Sequence, residues 1–245
     1  MHTGSVKTQI SELVSNTEKR INAVNSPHQG LLLYGLRKSS KTVESIFLLT
    51  SHGYGQDAKI LLRSLLELLL NLKYVGHDPD KRVPLFTEYA YLEIDDFDKL
   101  LSNYVSENPD DVIIQKILTS KDVDQRTSER KEYERVKKNY PNKHNWAGMS
   151  VRKMAKSVGL SFQYILYKMF CRVTHPSSEG IKSYLGLDDE SLACLDSTPE
   201  DLRRTFLTSC IYLLDILSQV NDGFSLDYGK HIDNVYQQVK SEIQK

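Results

Sequence analysis

Cysteine is nearly absent from this chain. Cys171, Cys194 and Cys210 are the three in 245 residues, and no two of them stand in CxxC spacing. An odd, scattered set builds neither a disulfide framework nor a thiolate metal site, and it reads as free cytosolic thiols. The seven histidines (His2, His28, His52, His77, His144, His175, His231) never fall four apart, so no helical metal pair is offered. No metal or cofactor is therefore expected. Also missing are GxxxxGK(S/T), GxGxxG after a strand, HExxH and GxSxG, which would announce nucleotide binding, zinc hydrolysis or a serine nucleophile. Charge of one sign is not in excess. Thirty-two basic and 32 acidic residues give a net charge of zero, which argues against a surface that tracks nucleic acid everywhere and leaves only a local basic patch open. No long apolar run exists: the densest, Ile60 to Leu72, is broken by Arg63, Glu67 and Asn71 and is too short and too charged to span a bilayer. The first thirty residues show no apolar core followed by a small-residue cleavage site. The expectation is a cytoplasmic protein without membrane contact.

What the chain does have is helical periodicity nearly everywhere, and no Val/Ile/Thr-rich alternation competes with it. The spacing predicts helices over Val6–Val24, His28–Ser51, Gly55–Tyr74 and Arg82–Asn103, with Ser26-Pro27 and Asp78-Pro79 as breaks. Asn108-Pro109 reads as a cap and first-position proline opening a short helix to Leu118. Lys121–Lys138 is the most polar stretch, anchored only by Tyr133 and Val136. It reads as a solvated, projecting helix, or, with eight basic against five acidic residues over Lys121–Lys143, as a nucleic-acid contact. Ser150 caps Val151–Val158, Gly159 ends it, and Ser161–Thr174 reads as a dense core helix through Phe162, Ile165, Leu166, Met169, Phe170 and Val173. Thr198-Pro199-Glu200-Asp201 opens the last long helix, to about Val220, and Tyr228–Ile243 is an amphipathic tail. Fold class is all-α. The organisation expected is one helical domain over 1–245 with a polar insertion at about 104–143.

The central helix, GQDAKILLRSLLELLLNLKY, is apolar all round except for Lys59, Arg63, Glu67 and Asn71, which recur every four residues along one line. So apolar a helix belongs in the middle of a bundle, and its charged line must find a cleft, a partner or a counter-charge. Arg63 held by Glu67 is either a fixed fork of donors for a phosphate or carboxylate, or a self-neutralising ion pair that sets helix register. Arg172 and His175 stand three apart in the last turn before Pro176. They are either the cation and imidazole of metal-independent RNA cleavage, or a helix-end cap beside a solvated arginine. Trp146, the single tryptophan, either pins its loop to the next helix or stacks on a ligand.

Three of these segments together resemble a bacterial family catalogued as domain of unknown function 5677. They are Tyr54-Gly55-Gln56-Asp57-Ala58-Lys59-Ile60-Leu61-Leu62-Arg63-Ser64-Leu65-Leu66-Glu67, Trp146 with Ser150-Val151-Arg152-Lys153-Met154-Ala155, and the tyrosine-bearing helix from Tyr164 to His175-Pro176-Ser177-Ser178. The resemblance covers about Gly53–Ser178. The order of helices is also similar to HEPN domains, whose signature is an arginine followed four to six residues later by a histidine. Here two residues separate Arg172 from His175. That resemblance implies an HEPN-like bundle, a homodimer and an RNA-directed effector of bacterial defence or a toxin–antitoxin pair. Arg172 and His175 would then be catalytic, and Lys59, Arg63, Glu67, Asn71, Trp146 and Arg152 would line the cleft. The alternatives from the residues alone are a non-catalytic protein-interaction module, or a sensor of a small anionic ligand at the polar line.

Overall fold

The computed structural model describes residues 3–119, 122–140, 145–174 and 197–244. Among these no residue is in a strand, and the chain is an all-α helical bundle. The helices are α1 (Thr3–Arg20), α2 (Pro27–Ser51), α3 (Gly55–Gly76), α4 (Pro79–Glu88), α5 (Ala90–Glu107), α6 (Val112–Thr119), α7 (Val123–Val136), α8 (Val151–Ser157), α9 (Ser161–Thr174), α10 (Pro199–Phe224) and α11 (Gly229–Ile243). They divide into two compact units, residues 1–77 with 154–245, and residues 78–153.

In the first unit α2, α3 and α10 pack against one another, with α1 and α11 on α10 and α9 on α3. The apolar faces account for this. Leu62, Leu65, Leu66, Leu69, Leu70 and Leu72 of α3 are enclosed, as are Phe206, Leu207, Leu213, Leu214, Ile216, Leu217 and Val220 of α10. Close helix approach needs a missing side chain at Gly35, where a Cβ would lie 2.5 Å from the buried Leu72 Cδ1. Two starts are capped by a hydroxyl, at Thr198 as the sequence signals and at Ser26, where the sequence signals only a break. The Ser26 hydroxyl accepts from the Gln29 amide at 3.2 Å ahead of Pro27, and the Thr198 hydroxyl accepts from the Asp201 amide at 3.1 Å ahead of Pro199. Gly159, at φ +73°, ends α8 in the left-handed region as expected.

Three boundaries differ from the sequence expectation. α1 ends at Arg20 rather than Val24. Arg82–Asn103 is not one helix. Pro84 removes a donor from α4, and the chain breaks at Tyr89, whose ring packs edge-on to Tyr140 at 5.4 Å. Nor does Asn108-Pro109 open α6. Asn108 closes α5 by donating its backbone and side-chain N–H groups to the Tyr104 carbonyl at 2.9 and 3.0 Å, and Asp111 caps α6 by accepting from the amides of Ile113 and Ile114.

The second unit begins before the polar insertion expected at 104–143 and ends after it. Its α7 packs on α5 through the two anchors read from the sequence. Tyr133 and Val136 join Leu92 and Tyr140 in a buried cluster that Leu85, Tyr89 and Tyr91 complete. Several charges of α7 and of the turn after it are matched locally. Arg130 pairs with Asp95 at 2.6 Å and Glu134 at 2.8 Å, Arg135 pairs with Glu88 at 2.8 Å and Glu132 at 2.7 Å, and Lys137 pairs with Glu134.

Asp95 carries a pH dependence. Burial raises its carboxyl pKa, but Lys99 and Arg130 outweigh that and hold it below the ordinary 3.8. A depressed acid stabilises the fold above its unfolded value and loses that contribution as pH falls through the lower folded value. Asp95→Asn should therefore lower stability at neutral pH and flatten the loss of stability below about pH 4. Chemical melts of both proteins between neutral and acidic pH test this, and parallel profiles would refute it.

Candidate functional site

The polar line of α3 meets α9, and the two helices share one cluster. Arg63 occupies its centre, with side chain 19 % exposed. Its Nη1 donates to Glu67 Oε2 at 3.3 Å, its Nη2 to Tyr167 Oη at 2.8 Å and its Nε to Cys171 Sγ at 3.2 Å. The guanidinium carbon also lies 4.7 Å from the centre of the Tyr167 ring, within cation–π reach. Tyr164 stacks beside Tyr167, with ring centroids 6.1 Å apart. Burial works against the Arg63 charge, but Cys171, Glu67 and Tyr167 together hold its pKa above the ordinary value. The Tyr167 phenol is pushed up by burial first and by Glu67 next, so it stays protonated at neutral pH.

One turn toward the N-terminus, Lys59 Nζ is 3.0 Å from Asp201 Oδ2 and ties the first turn of α3 to the first turn of α10. Asn71 continues the line and is half-buried. Glu67 is less enclosed than Arg63: its side chain is 41 % exposed. On this side of α3 the packing helix is α9, and it covers Arg63 while leaving the carboxylate a route to water. The line is therefore occupied by protein groups along its first two turns.

The remaining sequence candidates fall elsewhere. Trp146 is buried in the second unit with its indole edge-on to Phe86 at 5.0 Å, and Arg152 is exposed in that unit. The side chain of Arg172 and the whole of His175 lie outside the described residues, as does Cys194. No group of three or more His, Cys, Asp or Glu that could hold a metal occurs among the described residues.

α9 corrects a reading. Ser161–Thr174 is not a core helix on the apolar face that its sequence suggests. Phe162, Ile165 and Met169 are 65, 56 and 53 % exposed, while Tyr167 is buried. Tyr164, Tyr167 and Cys171 recur at i, i+3 and i+7 on the opposite side of the helix. That spacing was the available signal for the contact with Arg63, and the apolar row obscured it. Sequence reasoning also missed Asp201 as the partner of Lys59.

Residues 29–192 match a family of unknown function, DUF5677. The chain belongs to that family. The matched region contains the Arg63–Glu67–Tyr167–Cys171 cluster, Trp146 and the exposed row of α9. No curated protein and no solved structure matches the chain.

Removing the guanidinium tests what the cluster does. Arg63→Ala deletes three donors and a cation–π contact, but it leaves Glu67 able to hydrate. The expected loss is about 1–3 kcal/mol, below the 3–5 kcal/mol typical of stranding a fully buried charge. Glu67→Gln should cost less than about 1 kcal/mol, as an exposed pair does. Urea melts measure both, and an unchanged midpoint for Arg63→Ala would show that the cluster carries no stability.

Proposed function

We propose that this DUF5677 chain is a non-catalytic helical interaction module that pairs with a second copy of itself through α9. The observation behind this reading is the inverted helix. α9 turns its polar, aromatic side inward to Arg63 and its apolar row outward to solvent. Phe162, Ile165 and Met169 stand at i, i+3 and i+7, the spacing of a seam that packs against another helix. The row is nearly symmetric about Ile165. An antiparallel two-fold through Ile165 seats Phe162 of one copy on Met169 of the other, which gives the self-complementarity a two-fold interface needs. The pairing of Arg130 with Asp95 and of Arg135 with Glu88 favours a protein partner over nucleic acid, because it offsets part of the basic excess read from Lys121–Lys143.

Sedimentation equilibrium decides the pairing. Wild type is expected to dimerise, and Ile165→Glu to be monomeric with a melting temperature close to wild type, since an exposed site costs within about 0.5 kcal/mol. A wild type monomeric at about 100 µM, or an Ile165→Glu protein that still dimerises, removes the proposal.

A second reading keeps the HEPN-like architecture and assigns an RNA-directed effector of bacterial defence or of a toxin–antitoxin pair. It is supported by Arg63, a guanidinium kept charged against the same helix that carries Arg172. In it Arg172 holds the phosphodiester and His175 moves the proton. Incubation with total bacterial RNA and EDTA tests it. Cleavage that falls about 10²–10⁴-fold in His175→Ala, with the fold intact, favours this reading, and absence of cleavage by wild type rejects it.

A further inference from the structure

The first unit also contains an open cavity of about 530 Å³, about three turns along α3 from Arg63. It lies between the N-terminal end of α2, the C-terminal end of α3 and the last turns of α10, and its size is that of a small-molecule site. Its polar lining is His28 of α2, Lys73 of α3, His77 just past the end of α3, and Asp215, Ser218, Gln219 and Asp222 of α10. The α10 residues stand at i, i+3, i+4 and i+7, on one face of the helix. The Asp215 and Asp222 backbones are separated along the helix axis by a rise of about 10.5 Å. Between them Gln219 gives its amide nitrogen to the Asp215 carbonyl at 3.3 Å and keeps its oxygen on the side of Gly76.

The permanent charges at the cavity favour a cation, with the imidazoles of His28 and His77 beside them. Two carboxylates face one lysine ammonium, and Lys73 Nζ stops 3.8 Å from Asp215 Oδ1, beyond hydrogen-bond length. The C-terminal ends of α3 and α10, negative ends of their dipoles, reach the cavity, against one positive end from α2. Burial raises the Asp215 carboxyl pKa, and Lys73 only partly offsets it. The nearby Tyr212 and Tyr236 phenols are pushed up by burial and then by the Asp215 charge. Asp215 is thus an under-neutralised carboxylate at the wall of a cavity with room for a cation.

We propose that this cavity binds a short linear diamine, with one ammonium against Asp215 and the Gln219 oxygen and the other against Asp222. The dimensions fit. A four-carbon diamine places its nitrogens ~6 Å apart by ordinary bond lengths. With an N–O contact of about 2.8 Å at each end, its reach is comparable to the axial rise between the two residues that bear the carboxylates. A single amine meets only one of the two acids. A dicarboxylate meets repulsion from both.

Calorimetric titration with 1,4-diaminobutane, 1-aminobutane and succinate tests this on wild type, Asp215→Asn and Asp222→Asn. The diamine is expected to bind wild type, and each substitution to weaken it by about tenfold or more, the worth of one charge-assisted hydrogen bond. 1-Aminobutane should be weaker by a similar factor, and succinate should give no binding heat. The proposal is overturned by no diamine binding up to about 10 mM, by unchanged affinity in both variants, or by preference for succinate. Melts without ligand verify folding. Should Asp215→Asn fail to fold, the exposed Asp222→Asn decides the question alone.

Discussion

A guanidinium near the middle of an otherwise apolar helix constrains everything packed against it. Arg63 projects from α3 among leucines that are fully enclosed, so the helix covering it must bring acceptors. α9 brings a phenol, a thiol and an aromatic face, and Glu67 adds its carboxylate from α3 itself. Once those groups point inward, helical geometry fixes where the remaining side chains go. Phe162, Ile165 and Met169 are carried to the outside because they lie about half a turn away from Tyr167 and Cys171. A polar contact inside the unit thereby sets the chemistry of its surface.

The second unit handles charge differently. There the polar residues outnumber the apolar ones on α7, and a small cluster of Tyr133, Val136, Leu92 and Tyr140 anchors the helix to α5. Lys99, Arg130 and Lys137 each lie within 4.9–5.5 Å of the Tyr133 ring centre, and Asp95 and Glu134 neutralise them. Such a network orders long side chains and offsets part of the positive charge that phosphate backbones select. Counting basic residues along the sequence could not reveal this, because Asp95 and Glu88 come from other helices.

Element type was legible almost throughout. Helical period, proline after a hydroxyl at Ser26 and Thr198, and glycine at position 159 are local signals, and local hydrogen bonds decide them. The break at Tyr89 was not legible, and it coincides with an aromatic contact to Tyr140, 51 positions away, that no local signal announces. The polar line of α3 was visible as a period of four, but its partners Tyr167, Cys171 and Asp201 lie more than 100 residues downstream. The orientation of α9 misled for a definite reason. The hydrophobic rule places the apolar face inward, and it assumes that the receiving surface is apolar too. Here that surface contains Arg63.

The energetics explain why the inverted orientation holds. Exposing an aliphatic or aromatic side chain forfeits up to about 1.5–3 kcal/mol of burial, so three such residues weigh against this arrangement. Rotating α9 by half a turn would bury them, but against a guanidinium that had lost Tyr167 and Cys171. Arg63 would keep Glu67 of its own helix but lose two of its three hydrogen bonds and the cation–π contact, about 1–3 kcal/mol, and the Tyr167 hydroxyl and ring would lose their partner as well. The two orientations are thus closer in energy within one copy than the apolar row alone implies. Covering the row from outside removes the penalty on the observed orientation without disturbing Arg63. The proposed pairing through α9 would thus be coupled energetically to the internal Arg63 cluster.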